Sequence, residues 1–188
     1  MNERAPRADA IRNRARILEA ARDVFEREGV DAPLDSIAEA AGVGAGTVHR
    51  NFPTKESLVA AVIEARLIAT TERVRSATTS GDAGGAFFAV LGDLAESASG
   101  NLVLSEALAG ERPEPAVTAA GAALSTELQA LLARAQEAGA VRDDIDVASL
   151  HALLSGAIHM GRVPGTRPDL ILDVIKRGLA PEGHDRSS

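Results

Sequence analysis
The sequence predicts an all-α protein, and three observations carry that expectation. Apolar residues recur at helical spacing through most of the 188 residues, at positions such as i, i+4 and i+7 rather than alternately. The patterned segments are bounded by residues that start and stop helices, Thr54 and Asp146 before them and Gly29 and Gly42 after them. No segment alternates apolar and polar residues as a half-buried strand requires.

The first helix is predicted over 9–28, with Asp9 as its cap, Gly29 as its end, and Ile17, Leu18, Ala21, Val24 and Phe25 as its stripe. Pro33 suits the first turn of a second helix, where its missing N–H leaves no bond unmade. Leu34, Ile37, Ala38 and Ala41 form one face of that helix, and Gly42 stops it. A short third helix is expected from Ala45 to Asn51, with Val48 and Phe52 turned inward, and a long fourth from Thr54 to about Thr79. A loop over 80–85 precedes helices near 86–98, 101–109 and 115–138. The last of these carries Leu124, Leu128, Leu131, Leu132 and Ala135 in one stripe. Asp146 caps a helix running to Gly161, and Pro164-Gly165 turns the chain. A ninth helix is predicted at about 168–177, with Asp169 at its positive end and Lys176 and Arg177 at its negative end. The expected division is an N-terminal domain over 1–58, a larger helical domain over 59–180 and a disordered tail over 181–188.

Composition bounds the function. With no Cys, disulfides and thiol chemistry are excluded, which fits a reducing compartment. No uninterrupted apolar run approaches the roughly 20 residues that cross a bilayer. No basic-then-apolar leader opens the chain, so a cytoplasmic protein without a membrane partner is expected. The net charge of −7 runs against nucleic-acid binding at first sight, but its distribution is uneven. Arg4, Arg7, Arg12, Arg14 and Arg16 face only Glu3 and Asp9 in the first sixteen residues, forming a basic N-terminal arm on an otherwise acidic scaffold.

Residues 34–52 have the spacing of a helix-turn-helix. Ala38 is the small residue where two helices cross, Gly42 tolerates the unusual φ of the turn, and Ile37, Val43 and Val48 anchor it. The second helix of such a unit lies in the major groove with its N-terminal residues toward base edges.

The motifs Ile17-Leu18-Glu19-Ala20-Ala21, Phe25, Gly29, Ile37-Ala38-Glu39-Ala40-Ala41-Gly42-Val43, Gly46-Thr47-Val48, Arg50, Phe52 and Lys55-Glu56-Ser57-Leu58 resemble the TetR-family DNA-binding domain in order and spacing. Farther on, Ala138-Gly139-Ala140-Val141-Arg142-Asp143-Asp144 and Leu153-Leu154-Ser155-Gly156 resemble an actinobacterial-type subgroup of these regulators. The resemblance implies a homodimer that binds double-stranded DNA at a palindromic operator, with two recognition helices in successive major grooves, and that answers to a small-molecule effector. It places Ala45, Gly46 and Thr47 at the groove-facing start of the recognition helix. His49 stands where Tyr usually contacts a phosphate, Arg50 is a base or phosphate contact, and Lys55 is the phosphate-binding lysine. Asn51 stands where His is frequent and is expected to reach a phosphate or base edge. Backbone N–H groups opening the fourth helix are expected to hold a phosphate as well.

The departures bear on how bases are read. Gly44 stands where Ser often caps the recognition helix, and Ala32 and Pro33 where Thr residues are common. Ala45 and Gly46 offer no hydrogen-bonding side chain, so direct readout falls to Arg50, which can form a bidentate guanine contact, and to Thr47. The arginine arm is open to two readings, minor-groove entry or a solubilising tail.

For the larger domain, the resemblance implies an effector pocket, for which Phe87, Phe88, Leu91, Leu108, Leu128, His159 and Met160 are candidates. Its scarcity of aromatic groups, with no Trp and no Tyr, favours an apolar effector. The resemblance also implies a four-helix dimer interface from the last two helices. Gly156, Ala157 and Gly161 suit close packing there, and Leu150, Leu154, Ile158, Ile171, Val174 and Ile175 would form its apolar stripe.

Other chemistries find little support. The run Gly42-Val43-Gly44-Ala45-Gly46 fails as a dinucleotide fingerprint because Thr47 stands at the third glycine and no strand precedes it, so no cofactor is expected. His151 and His159 lie eight residues apart, too far to share a metal, where i, i+4 is the usual pair. Nothing groups Ser, His and Asp into a nucleophile setting, so no enzyme is expected. An activator or silencer on the same fold, and a helical protein-binding module with a vestigial helix-turn-helix, stand as alternatives to a repressor.

Overall fold
The computed structural model describes residues 4–99, 114–161 and 163–181. Among them it contains eight α-helices and no strand: α1 (Arg4–Glu28), α2 (Leu34–Ala41), α3 (Ala45–Asn51), α4 (Lys55–Thr78), α5 (Ala83–Ser99), α6 (Pro115–Glu137), α7 (Val147–Gly161) and α8 (Pro168–Leu179). The expected helix over 101–109 and the tail over 182–188 lie outside the described residues.

The described chain forms two compact units, one running to Arg66 and including 114–117, the other holding 67–99 and the residues from Thr118 onward. In the N-terminal unit the predicted stripe of α1 is part of the core: Ile17, Ala21, Val24 and Phe25 are buried, as are Ile37, Ala38, Val48, Phe52 and Leu58, and α1 packs against α2. Gly42 closes α2 in the left-handed region at φ +61°, where only glycine fits without strain. Its neighbour Val43 donates its N–H back to the Ala38 carbonyl at 3.0 Å, so the turn is hydrogen-bonded while the chain reverses into α3.

The start of α1 departs from expectation. The helix begins at Arg4, and Asp9, predicted as its cap, instead pairs with Arg12 one turn later. A carboxylate and an arginine at i, i+3 stabilise a helix from within, and that competes with the capping role. The basic arm is therefore largely helical rather than a free tail.

In the second unit the core gathers Val74, Phe87, Leu91, Leu128, Leu131, Leu132, Ala135, Val141, Leu150 and Leu179. Asp82 caps α5, accepting the Gly85 N–H at 2.8 Å, so this helix starts earlier than predicted. A Cβ on Gly84 would fall 2.5 Å from the Ala140 Cβ, so glycine permits that approach. Arg75 on α4 holds Glu127 on α6 at 2.8 Å. Gln136 donates to the carbonyls of Arg142 and Ile145 at 2.9 and 2.8 Å, shaping the link into α7. That helix is capped by Asp146, which accepts the Ser149 N–H at 2.7 Å. By length and mean hydropathy α6 could cross a bilayer, but its leucines face the core and it carries Glu127, Arg134 and Glu137.

Candidate nucleic-acid interface
The third helix is held from behind and open in front. Val48 and Phe52 are buried, which fixes the inward face, while Gly44, Ala45, Gly46, His49 and Arg50 are exposed. Gly44 caps the helix without a side-chain hydrogen bond, and the Thr47 N–H reaches its carbonyl at 2.8 Å. A Cβ built on Gly44 or Gly46 meets nothing within 4 Å, and neither has a positive φ. The fold therefore does not demand glycine at either position, unlike Gly42. Glycine also disfavours a helix, by up to about 1 kcal/mol against alanine. A bare surface of this kind lets another molecule approach the backbone closely.

Two arginines of α1 brace this pair of helices. The Arg16 Nη2 donates to the Ala41 carbonyl at 2.6 Å, at the end of α2. The Arg14 Nη1 donates to the Asn51 carbonyl at 3.4 Å, at the end of α3, and its guanidinium lies 4.4 Å from the centre of the Phe52 ring. Each cation meets the negative end of a helix, where exposed carbonyls and the helix dipole favour it. Arg12, Arg14 and Arg16 are thus engaged within the protein, whereas the sequence suggested an arm reaching outward; the side chains of Arg4 and Arg7 lie outside the described residues.

The remaining polar groups form a short network. Arg50 Nη2 donates to the Thr47 hydroxyl at 3.1 Å, and Asn51 Nδ2 donates to the Thr47 carbonyl at 2.8 Å. Asn51 is therefore turned onto its own helix. Lys55 lies 4.0 Å from Asp31, whose side chain is fully exposed, and so loose a surface pair contributes little. That leaves the ammonium able to exchange a carboxylate for a phosphate. At the start of α4 the Ser57 N–H is taken by the Thr54 hydroxyl at 3.1 Å. The Glu56 carboxyl is held below its usual range by its own backbone N–H and then by Thr54. The Ser57 amide is thus engaged within the first turn of the helix.

Comparison with known proteins agrees with this geometry. Residues 17–62 match the bacterial regulatory proteins of the tetR family, and residues 82–181 match the C-terminal domain of SbtR-like transcriptional regulators. The crystal structure of a TetR transcription regulatory protein from Mycobacterium vanbaalenii is 43% identical, over 93% of this chain and 99% of that one, with a TM-score of 0.73. The chain belongs to the TetR family. Its helix-turn-helix is the DNA-binding element of a transcriptional regulator. An HTH-type transcriptional regulator of Staphylococcus aureus is 44% identical over 59 residues, a match that spans about a third of either protein (31% of this chain, 32% of the other). The structure of RolR bound to resorcinol, 21% identical with a TM-score of 0.62 over 93% of this chain and 91% of that one, shares the fold.

The TetR-type second unit sorts the remaining candidates by burial. Phe87, Leu91 and Leu128 are core residues, and Phe88 is half-buried, its ring edge-on to Phe87 at 5.3 Å. Leu108 lies outside the described residues. His159 and Met160 are exposed, with the His159 Nδ1–H donating to the Ser155 carbonyl at 2.8 Å, so the structure moves both from a pocket lining to the surface. Among the interface candidates, Leu150 is 1% exposed and Ala157 is buried, so both serve the unit's own core. Leu154 and Ile175 pack partly against that core, Gly156, Gly161 and Ile171 are half-buried, and the Ile158 side chain lies outside the described residues. Val174 is outward, and so are three residues that sequence reasoning did not assign to this face, Leu153, Met160 and Leu170. Exposure of these four runs from 39% at Leu153 to 61% at Val174. The signal was available: Leu153 and Met160 are seven apart, and Leu170 and Val174 four apart, each pair sharing a helical face.

Proposed function
We propose that this regulator is a repressor that holds a palindromic operator as a homodimer and releases it when a small, apolar effector enters the second unit. The observation that carries the reading is the open face of α3, where Arg50 stands exposed beside a backbone bared by Gly44, Ala45 and Gly46. Arg50 supplies a base-edge donor, and His49 and Lys55 supply phosphate contacts. Two copies must present α3 at half-sites roughly 34–36 Å apart, one helical turn of DNA. The outward apolar residues of α7 and α8 support dimerisation, because a second copy would cover them by two-fold symmetry.

The effector reading rests on the apolar second unit and on a neighbour of the same fold that holds resorcinol. An effector acts only by binding one separation of the two α3 helices better than another. Such a regulator works in the cytoplasm, beside the chromosome. Selection from random duplexes at two salt concentrations tests the proposal. The expected result is an inverted repeat whose affinity falls steeply with salt. Absence of enrichment contradicts it and favours a protein-binding module; activation of a promoter bearing the selected site contradicts the repressor sign alone.

A further inference from the structure
We propose that Thr47 is a positioning residue, which acts on operator sequence through Arg50 rather than by touching a base itself. The inference rests on the reading of α3 as the recognition helix. Thr47 and Arg50 lie three residues apart on one face, and the Arg50 Nη2 donates to the Thr47 hydroxyl at 3.1 Å. The backbone of Thr47 is itself fixed, its N–H on the Gly44 carbonyl at 2.8 Å and its carbonyl accepting from Asn51 Nδ2 at 2.8 Å. The hydroxyl is therefore an acceptor carried on a fixed backbone. Before Val48, α3 holds only Ala45, Gly46 and Thr47, so no other side chain of its first turn can steer Arg50.

The chemistry of the guanidinium makes this useful. It carries five N–H donors, and a guanine edge takes two of them, on O6 and N7. One N–H given to Thr47 leaves enough donors for the base and removes rotational freedom from a long side chain. Among the described residues Arg50 has no carboxylate partner that a base would have to displace. Thr47 thereby selects guanine at the base pair Arg50 faces.

The test compares half-site selection by the full chain with that of Thr47→Val, Thr47→Ser, Arg50→Ala and the double variant Thr47→Val/Arg50→Ala. Valine keeps the shape and β-branch of threonine and removes only the hydroxyl. The expected result is a guanine preference at one half-site position that Thr47→Val reduces about tenfold, that Thr47→Ser restores, and that the double variant loses to the same extent as Arg50→Ala alone. An intact guanine preference in Thr47→Val overturns the proposal. So does a preference lost at a different base pair, or losses that add in the double variant, since either marks a direct contact. If the unaltered chain selects no sequence, the recognition reading itself falls and this proposal with it; if it selects and Thr47→Val selects identically, only this proposal falls.

Discussion
On α3 the outward face has almost no apolar side chain; Arg50 is tied to Thr47 and Asn51 to the Thr47 carbonyl, while Arg14 of α1 reaches the carbonyl of Asn51. On α7 and α8 four large apolar side chains, Leu153, Met160, Leu170 and Val174, are exposed among the described residues. The first surface is pre-set for a polar, charged partner, where correct placement of few donors decides binding. The second is set for non-directional burial, where area matters more than the position of any one atom. On the proposed function the chain would use two different recognition chemistries, and substitutions at the two faces are expected to fail differently.

The largest effect is expected on the apolar face. Val174→Glu places a carboxylate in the proposed dimer twice by symmetry, and an unpaired buried charge costs several kcal/mol. Association measured by sedimentation should weaken by at least about 100-fold, with helix content by circular dichroism retained because Val174 is 61% exposed in the protomer. A variant that stays dimeric would break the comparison. Next in size is Arg16→Ala, which strips the charged donor from the end of α2. A loss of about 1–2 kcal/mol in urea denaturation is expected, with dimer association untouched.

Gly46→Ala sharpens the contrast between fold and function. No atom opposes the added Cβ, so the N-terminal unit should gain up to about 1 kcal/mol from helix propensity while operator affinity falls. Opposite signs in the two measurements would show that the glycine serves the DNA. Smallest is Glu56→Gln, which removes a negative charge beside Lys55 and should raise DNA affinity a few-fold at low salt. The Glu56 carboxyl titrates below its ordinary range because its own backbone N–H and Thr54 favour the charged form. The unaltered chain should therefore gain this affinity only when pH falls through that lowered range, and Glu56→Gln should show no such rise.

The helix-turn-helix was legible because its determinants are local. Gly42 must adopt a left-handed turn, and Val48 and Phe52 must face inward at their spacing, so three positions define the unit. The outward face of α7 was less legible. Leu150 and Leu153 are the same residue type about 60° apart around a helix, and which one is buried depends on the packing of α5, α7 and α8 rather than on composition. Sequence could likewise show that α1 is rich in arginine, but not that Arg14 and Arg16 fold back onto the carbonyl ends of α3 and α2. Such contacts join residues 25 and 37 positions apart and depend on rotamers that no periodicity encodes.

The absence of cysteine in the chain allows a direct test of the account as a whole. A single cysteine introduced as Asp35→Cys, exposed in the first turn of α2 and outside the residues assigned to DNA contact, can carry a DNA-cleaving metal chelate to the selected operator. The account predicts two clusters of cleavage related by the dyad of the inverted repeat, both lost when Val174→Glu is combined with the label. A single cluster, or even cleavage along the duplex, would contradict a dimer that places two α3 helices in successive major grooves.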